Sequence, residues 1–523
     1  MEIPLPRTEI ENFKIYYAIA GVLLVLGWMF IPRIRNVSAQ RVRTILLGIL
    51  AILTVANYYG FSTLKLRVKI TNYDLMHYYL ATRYFEELGY YDLYSAVLLI
   101  DNERGEYSTN PRIKKCRLQD ARRGYRDVSV ERCLERGRKI RAERFSADRW
   151  KAFERDFLYL QRGTGMSKRA WRTMVNDRGL NATPAWIVTW GPLARAVPVT
   201  AVKWICWLDP LLLIAALALV ARVYGIVPML WCLYFFGLTY SLRWPMPGLV
   251  FLRYGWVAAL MVAMCALKAR HHFAAGVLAA YAAVMRFFPF VWMWGPFAKG
   301  MTRLFDRNVP LRDRLDRGLL SLAAGFVTAV LLFEGVATYS LGIDAVLNHV
   351  YNIREHIKPE ELSSRRVGFA VGYAYRGELL PKTITRQRMV EIKEQTPERL
   401  VVALALVLAL GWALRKRPDD EAFGFGLIPM FLFSTASYYY FVARITLYMV
   451  HAADLSKLRN RVGLAMLIGM ELFANWAETI YPVHRIYLVG RLSWLLGVYS
   501  VVMIGWLLWE SRSERSKPIE DGA

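Results

Sequence analysis

Asp74 opens the segment TNYDLMHYYLATRYFEELGYYDLY, from Thr71 to Tyr94, just beyond an apolar stretch, where a lone carboxylate can take a proton from a hydroxyl group. General-base help of that kind contributes on the order of 10²–10⁴-fold to a group transfer. His77 follows about one helical turn later, on the face that carries Asp74, and can orient the carboxylate or meet the hydroxyl. Arg286 lies inside the apolar run VMRFFPFVWMWGPF, Val284 to Phe297. An arginine there is costly unless it faces a polar cavity or finds a partner, so it is the first choice for holding a phosphate. A later segment gathers His349, Arg354, His356, Lys358, Arg365 and Arg366, which can clamp the same phosphate or line the groove of an acceptor. Arg253, within another apolar run, is a weaker phosphate candidate and can also serve an acceptor. Tyr78, Tyr438, Tyr439 and Tyr440 can stack on a sugar or stand as interface aromatics. Burial at a membrane boundary makes Asp74 a stronger base unless a neighbouring cation offsets it. It can also be no more than a helix-opening charge favoured by the macrodipole. Glu86, Glu87 and Asp92 read as solvated.

These residues must be held by an unusual chain. It is 55% apolar and 14% aromatic, yet its formal net charge is +26, a combination that marks a polytopic membrane protein with basic flanks. Crossing a hydrocarbon core of roughly 30 Å takes about 20 apolar residues. The first such stretch, from Tyr16 to Ile31, has no short basic leader or small-residue cleavage site, so it is expected to be a retained anchor.

Short basic loops fix orientation. Arg33, Arg35, Arg41 and Arg43; Lys268 and Arg270; Lys299 to Arg317; Arg415 to Arg417; Lys457 to Arg461; and the tail after Glu510 all belong on the cytoplasmic side. That requires the N-terminus outside and the C-terminus inside a plasma (inner) membrane. It also requires about 11 spans, near 15–32, 44–62, 199–223, 225–243, 248–267, 318–341, 399–414, 423–437, 441–454, 462–478 and 489–509. The run 273–297 begins and ends at cytoplasmic charge, so it must be a pair of short helices broken near Arg286, Phe287 and Pro289. The expected fold class is an all-α polytopic bundle. Its parts are two N-terminal spans (1–64), an outer loop (65–198), a central module with the broken pair (199–341), a second outer loop (342–398), a C-terminal module (399–510) and a tail (511–523).

The middle of the first outer loop, Arg112 to Arg172, is strongly basic with apolar residues at helical spacing. It reads as a helical insert, either a solvated cap or a surface for anionic membrane lipids or an anionic glycan. Nucleic acid is not an expected partner, because no recognition-helix or RNP-like pattern is present. Cys116 and Cys133 lie in this loop and can pair as a disulfide if it is extracytoplasmic. Cys206, Cys232 and Cys265 read as buried small hydrophobes.

Several motifs resemble, in their order along the chain, the polyprenyl-phosphate-sugar-dependent glycosyltransferases of the GT-C fold, and among them glycosyltransferase family 87, the alpha-mannosyltransferase-like group. Asp74 with its aromatic helix and the Gly89-to-Tyr94 turn is similar to that group's first outer loop. ATPAWIVTWGPLA, Ala182 to Ala194, resembles its proline-aromatic segment; VMRFFPFVWMWGPF its broken pair; and STASYYYF, Ser434 to Phe441, its Ser/Tyr-rich turn. The insert is longer than the family pattern, and MPGLVFLRY, ending at Tyr254, stands where a Gly-Gln-x-Asn signature is common.

The resemblance implies a GT-C-like bundle and a transferase that moves a mannose-like hexose or a pentose from a polyprenyl-phosphate donor to a lipid or glycan acceptor on the outer face of the cell envelope. Asp74 would be the base. No metal or other cofactor is expected: there is no Asp-x-Asp near Asp74, no His/Glu cluster with ligand spacing and no nucleotide-binding loop. Two other readings stay open. A lipid or glycan flippase or transporter would also carry intramembrane charges, although it commonly shows paired halves. A non-catalytic envelope-assembly subunit could keep the fold without using Asp74.

Overall fold

The computed structural model describes residues 7–30, 37–61, 70–104, 115–118, 126–163, 165–177, 179–307, 310–357, 365–376, 396–480 and 485–513. Helices dominate, with two short antiparallel strand pairs. Among the described residues, five helices are long and apolar enough to cross a membrane: Ala39–Tyr58, Val199–Tyr224, Arg317–Leu341, Thr396–Leu414 and Tyr487–Arg512. Shorter apolar helices, among them Ile226–Leu238, Gly255–Lys268 and His272–Met285, fill the space between them. The chain is an all-α membrane protein. Outward-facing leucines and valines on Arg317–Leu341 and Thr396–Leu414 are what a lipid-facing surface requires.

Close helix packing rests on small residues. A Cβ on Gly276 would fall 2.1 Å from the Leu322 carbonyl oxygen, and one on Gly325 would fall 2.2 Å from that of Phe273. His272–Met285 and Arg317–Leu341 therefore touch backbone to backbone, as small-residue interfaces in membranes allow. This contact fixes the helix that ends at Arg286. There the backbone turns extended, a 3₁₀ stretch Phe288–Met293 follows, and Trp294–Leu304 completes the pair. Pro289, which has no N–H to donate, begins the new segment.

The backbone departs from expectation at three stretches. The helix anticipated over 248–267 starts only at Gly255, and residues 243–254 form a buried non-helical segment; Pro245, Pro247 and Gly248 break the apolar run. The region anticipated as spans 423–437 and 441–454 is a series of short pieces, Asp419–Gly424, Leu427–Phe433, Tyr438–Arg444 and Ile445–Ala452. The insert is mostly helical but also holds an antiparallel strand pair, Lys115–Leu118 against Arg126–Ser129.

Ser129, Ser146 and Ser167 then cap the insert's helices Val130–Arg144, Ala147–Leu158 and Lys168–Met174, each accepting a backbone N–H three residues on. Trp150, Phe153, Phe157 and Trp171 form its apolar face. Its arginines do not all face water. Arg136 and Arg144 reach Asp92 at 2.5 and 2.8 Å, and Arg149 pairs with Glu87. Glu87 and Asp92, expected to be solvated, are instead buried under the insert, because these guanidiniums replace the water they lose. Cys133 is disulfide-bonded, and Cys206, Cys232 and Cys265 are free and buried. The side chain of Cys116 lies outside the described residues.

Candidate active site

The segment carrying Asp74 is a single helical turn, Asn72–Leu75, that widens into a π-turn over Met76–Leu80. Asp74 is buried, and its two oxygens are engaged by one strand of non-helical chain. Oδ1 accepts from Arg253 Nη1 at 2.8 Å, and Oδ2 accepts from the Phe251 backbone N–H at 3.1 Å. The same strand is held from its other side by Asp209, which accepts the N–H groups of Arg253 at 2.6 Å and Tyr254 at 2.9 Å. Two carboxylates thus fix the loop that presents one arginine. Thr71 N–H to Leu249 O, at 2.7 Å, and Trp186 Nε1 to Leu252 O, at 3.2 Å, complete the clamp.

Tyr78 lies between two guanidiniums. Arg253 sits 4.1 Å and Arg286 5.1 Å from its ring centroid, positions where the ring's quadrupole attracts a cation. Arg286 Nη1 donates to the Tyr78 hydroxyl at 3.1 Å, and that hydroxyl donates to Asn181 Oδ1. Arg286 is 5% exposed, makes no ion pair with a carboxylate among the described residues, and its Nη2 is buried without a hydrogen-bond partner. A buried cation in that condition costs several kcal/mol. It calls for an anion.

The later motifs converge on the same place. Arg366–Val367 pairs with Ala436–Ser437, and the Tyr438 N–H donates to the Arg365 carbonyl at 2.9 Å. This pairing brings the Tyr439 ring to 5.7 Å from the Arg253 guanidinium and packs Tyr440, tilted, against Tyr439 and Phe288. Burial raises the pKa of the Tyr440 hydroxyl, but Arg286, Arg253, a hydrogen bond with Tyr439 and Arg366 outweigh it, leaving the hydroxyl below its ordinary value. His349, on helix Ile343–Ile357, is buried with Nδ1 unpartnered; burial first, and then Arg286, push it down to about 4, so it is neutral at pH 7.

Other expected residues stand apart. His77 uses both ring nitrogens within the scaffold: burial holds its pKa down, Nδ1 donates to the Tyr73 carbonyl at 2.8 Å, and Nε2 accepts from Tyr94 at 2.6 Å. It pins the π-turn to the Tyr94 helix, and neither nitrogen faces Asp74. Tyr438 donates to the Trp244 carbonyl at 3.1 Å. Arg354 and Arg365 are exposed, and the Arg366 guanidinium donates to the Thr435 carbonyl at 3.1 Å. The His356 side chain and Lys358 lie outside the described residues. Among the described residues no group of three or more His, Cys, Asp or Glu is placed to hold a metal ion.

Sequence reasoning missed Asp209 and Asn181. Asp209 did carry a signal, an acid at the head of an apolar span, where charge is expensive without a partner. Neither a protein-family model, nor a curated protein, nor a solved structure matches the chain.

Proposed function

We propose that this protein is a membrane glycosyltransferase that moves a hexose or pentose from a polyprenyl-phosphate donor to a lipid or glycan acceptor. The observation that carries the reading is Arg286, a buried guanidinium with an unpartnered Nη2, beside a second buried arginine and a carboxylate. A lipid-linked phosphate supplies the missing anion and arrives from the membrane in which the site is built. Arg286 and Arg253 would hold its oxygens, and Tyr78, Tyr439 and Tyr440 would offer faces to the sugar. Asp74 would take the acceptor proton. In the transfer, the acceptor oxygen bonds to the anomeric carbon, the bond from that carbon to the phosphate oxygen breaks, and the electron pair leaves with the polyprenyl phosphate. Each Asp74 oxygen accepts one hydrogen bond from the protein and keeps a lone pair for the proton.

The charge pattern of the short loops supports an outer-face site with the N-terminus outside and the C-terminus in the cytoplasm. The order of the motifs, similar to that of the GT-C group, supports the donor class. Mass spectrometry of lipids that co-purify with the wild-type chain and with Arg286→Gln tests the reading. A polyprenyl phosphate retained by the wild type and depleted in the variant supports it; no such lipid, or equal retention, counts against it.

A further inference from the structure

Helix Ile343–Ile357 is amphipathic the wrong way round for a surface in water. Its outward stripe is Ile343, Leu347 and Val350, which are 59%, 41% and 57% exposed, spaced i, i+4, i+7. Its inward stripe is Ala345, His349, Asn352 and Glu355, all buried and mostly polar. The inner residues are anchored: Asn352 Nδ2 donates to the Leu180 carbonyl at 2.9 Å, Tyr91 donates to the Asn348 carbonyl at 2.9 Å, and the His349 ring lies 6.0 Å from that of Tyr90. A helix on a soluble surface turns its apolar face to the core. Here that face is turned away from it.

The stripe continues a lipid-facing one. Arg317–Leu341 presents Val327, Leu331, Leu332, Val336 and Tyr339 outward, with Tyr339 almost fully exposed at the end of the span, where aromatic residues mark the membrane interface. Gly342, at φ +78°, then turns the chain sharply and the next helix begins at once. Glycine takes that φ without the Cβ penalty. Arg354, exposed on the same side, closes the stripe with a long basic side chain that can reach headgroup phosphates while its stem stays in the apolar layer.

We propose that helix Ile343–Ile357 lies in the plane of the membrane interface, with Ile343, Leu347 and Val350 inserted among lipid acyl chains. It is a lipid-embedded roof over the Arg286 site, placing His349 and its neighbours at headgroup depth. The proposal does not depend on the transferase reading.

Spin labels on single cysteines at Leu347 and Val350 of the full chain in liposomes test it. Leu331 serves as the lipid-facing control and exposed Glu86 as the control on the outer loop; the buried native cysteines are checked by labelling the wild type. Collisions with oxygen should exceed those with a water-soluble nickel chelate at both sites, shifting the ratio toward that of Leu331. Ile343→Cys gives a third position should either variant misfold. A ratio like that of Glu86 would place the helix in water, and protection from both reagents would place a second copy or another protein on the stripe. Either result overturns the proposal.

Discussion

Arg253 Nη1 meets Asp74 Oδ1 at 2.8 Å, both side chains lie out of solvent, and 179 positions of sequence separate them. The pair joins the Thr71–Tyr94 segment to the non-helical segment between two apolar helices. It also supplies the neighbouring cation that decides the environment of the candidate base.

Removing one partner should therefore cost more than removing both. Arg253→Met leaves a buried carboxylate without its guanidinium, a loss of about 3–5 kcal/mol, whereas Asp74→Asn with Arg253→Met leaves no unpaired charge. Unfolding of the two single variants and the double variant in detergent should give a double-mutant cycle with clear coupling. Additive losses would mean that the pair is not formed.

Arg286 behaves differently, because among the described residues it has no carboxylate partner to strand. Arg286→Met should leave the thermal midpoint unchanged or raised, while transfer from a lipid-linked donor falls roughly 10²–10³-fold, as when a charge-stabilising donor is removed. A large loss of stability with activity retained would assign Arg286 to the scaffold.

His349 supplies a pH signature. Its pKa in the folded protein, pushed down to about 4 by burial and then by Arg286, lies below the ordinary value near 6.5. Above about pH 6.5 both folded and unfolded forms are neutral, and the full stability is present. As pH falls from there to about 4, the unfolded chain takes a proton that the folded one refuses, and stability drops by about 3 kcal/mol at most. Unfolding measured at pH 7 and pH 5 should show this slope in the wild type and a shallower one in His349→Gln.

Asp92 ties the insert to the Asp74 segment through Arg136 and Arg144. Asp92→Asn should cost about 1.5–3 kcal/mol, the range for a hydrogen bond to a charged group, and expose the insert to limited proteolysis. Unchanged cleavage would mean that its apolar contacts suffice.

Much of this architecture was legible locally. The apolar runs and the break at Arg286 before Pro289 are short-range signals, and the helices follow them. What could not be read was which distant residues meet. Nothing local to Arg253 reveals that its guanidinium also pairs with Asp74, 179 positions away. His77 looked like a partner of Asp74 on helical spacing, but the π-turn and the Tyr94 hydroxyl redirect its ring. Glu87 and Asp92 looked solvated because their arginines lie 44 to 62 positions away. Burial of charge is set by tertiary pairing, and a single sequence does not state the pairs.

The proposed transfer depends on Asp74 as the base. Purified wild type and Asp74→Asn, each in liposomes with a labelled polyprenyl-phosphate sugar and a crude envelope-lipid acceptor, should differ by at least about 10²-fold in labelled product. Equal transfer by both would remove Asp74 as the base, and movement of the donor across the bilayer with no product from the wild type would contradict the transferase reading in favour of a flippase.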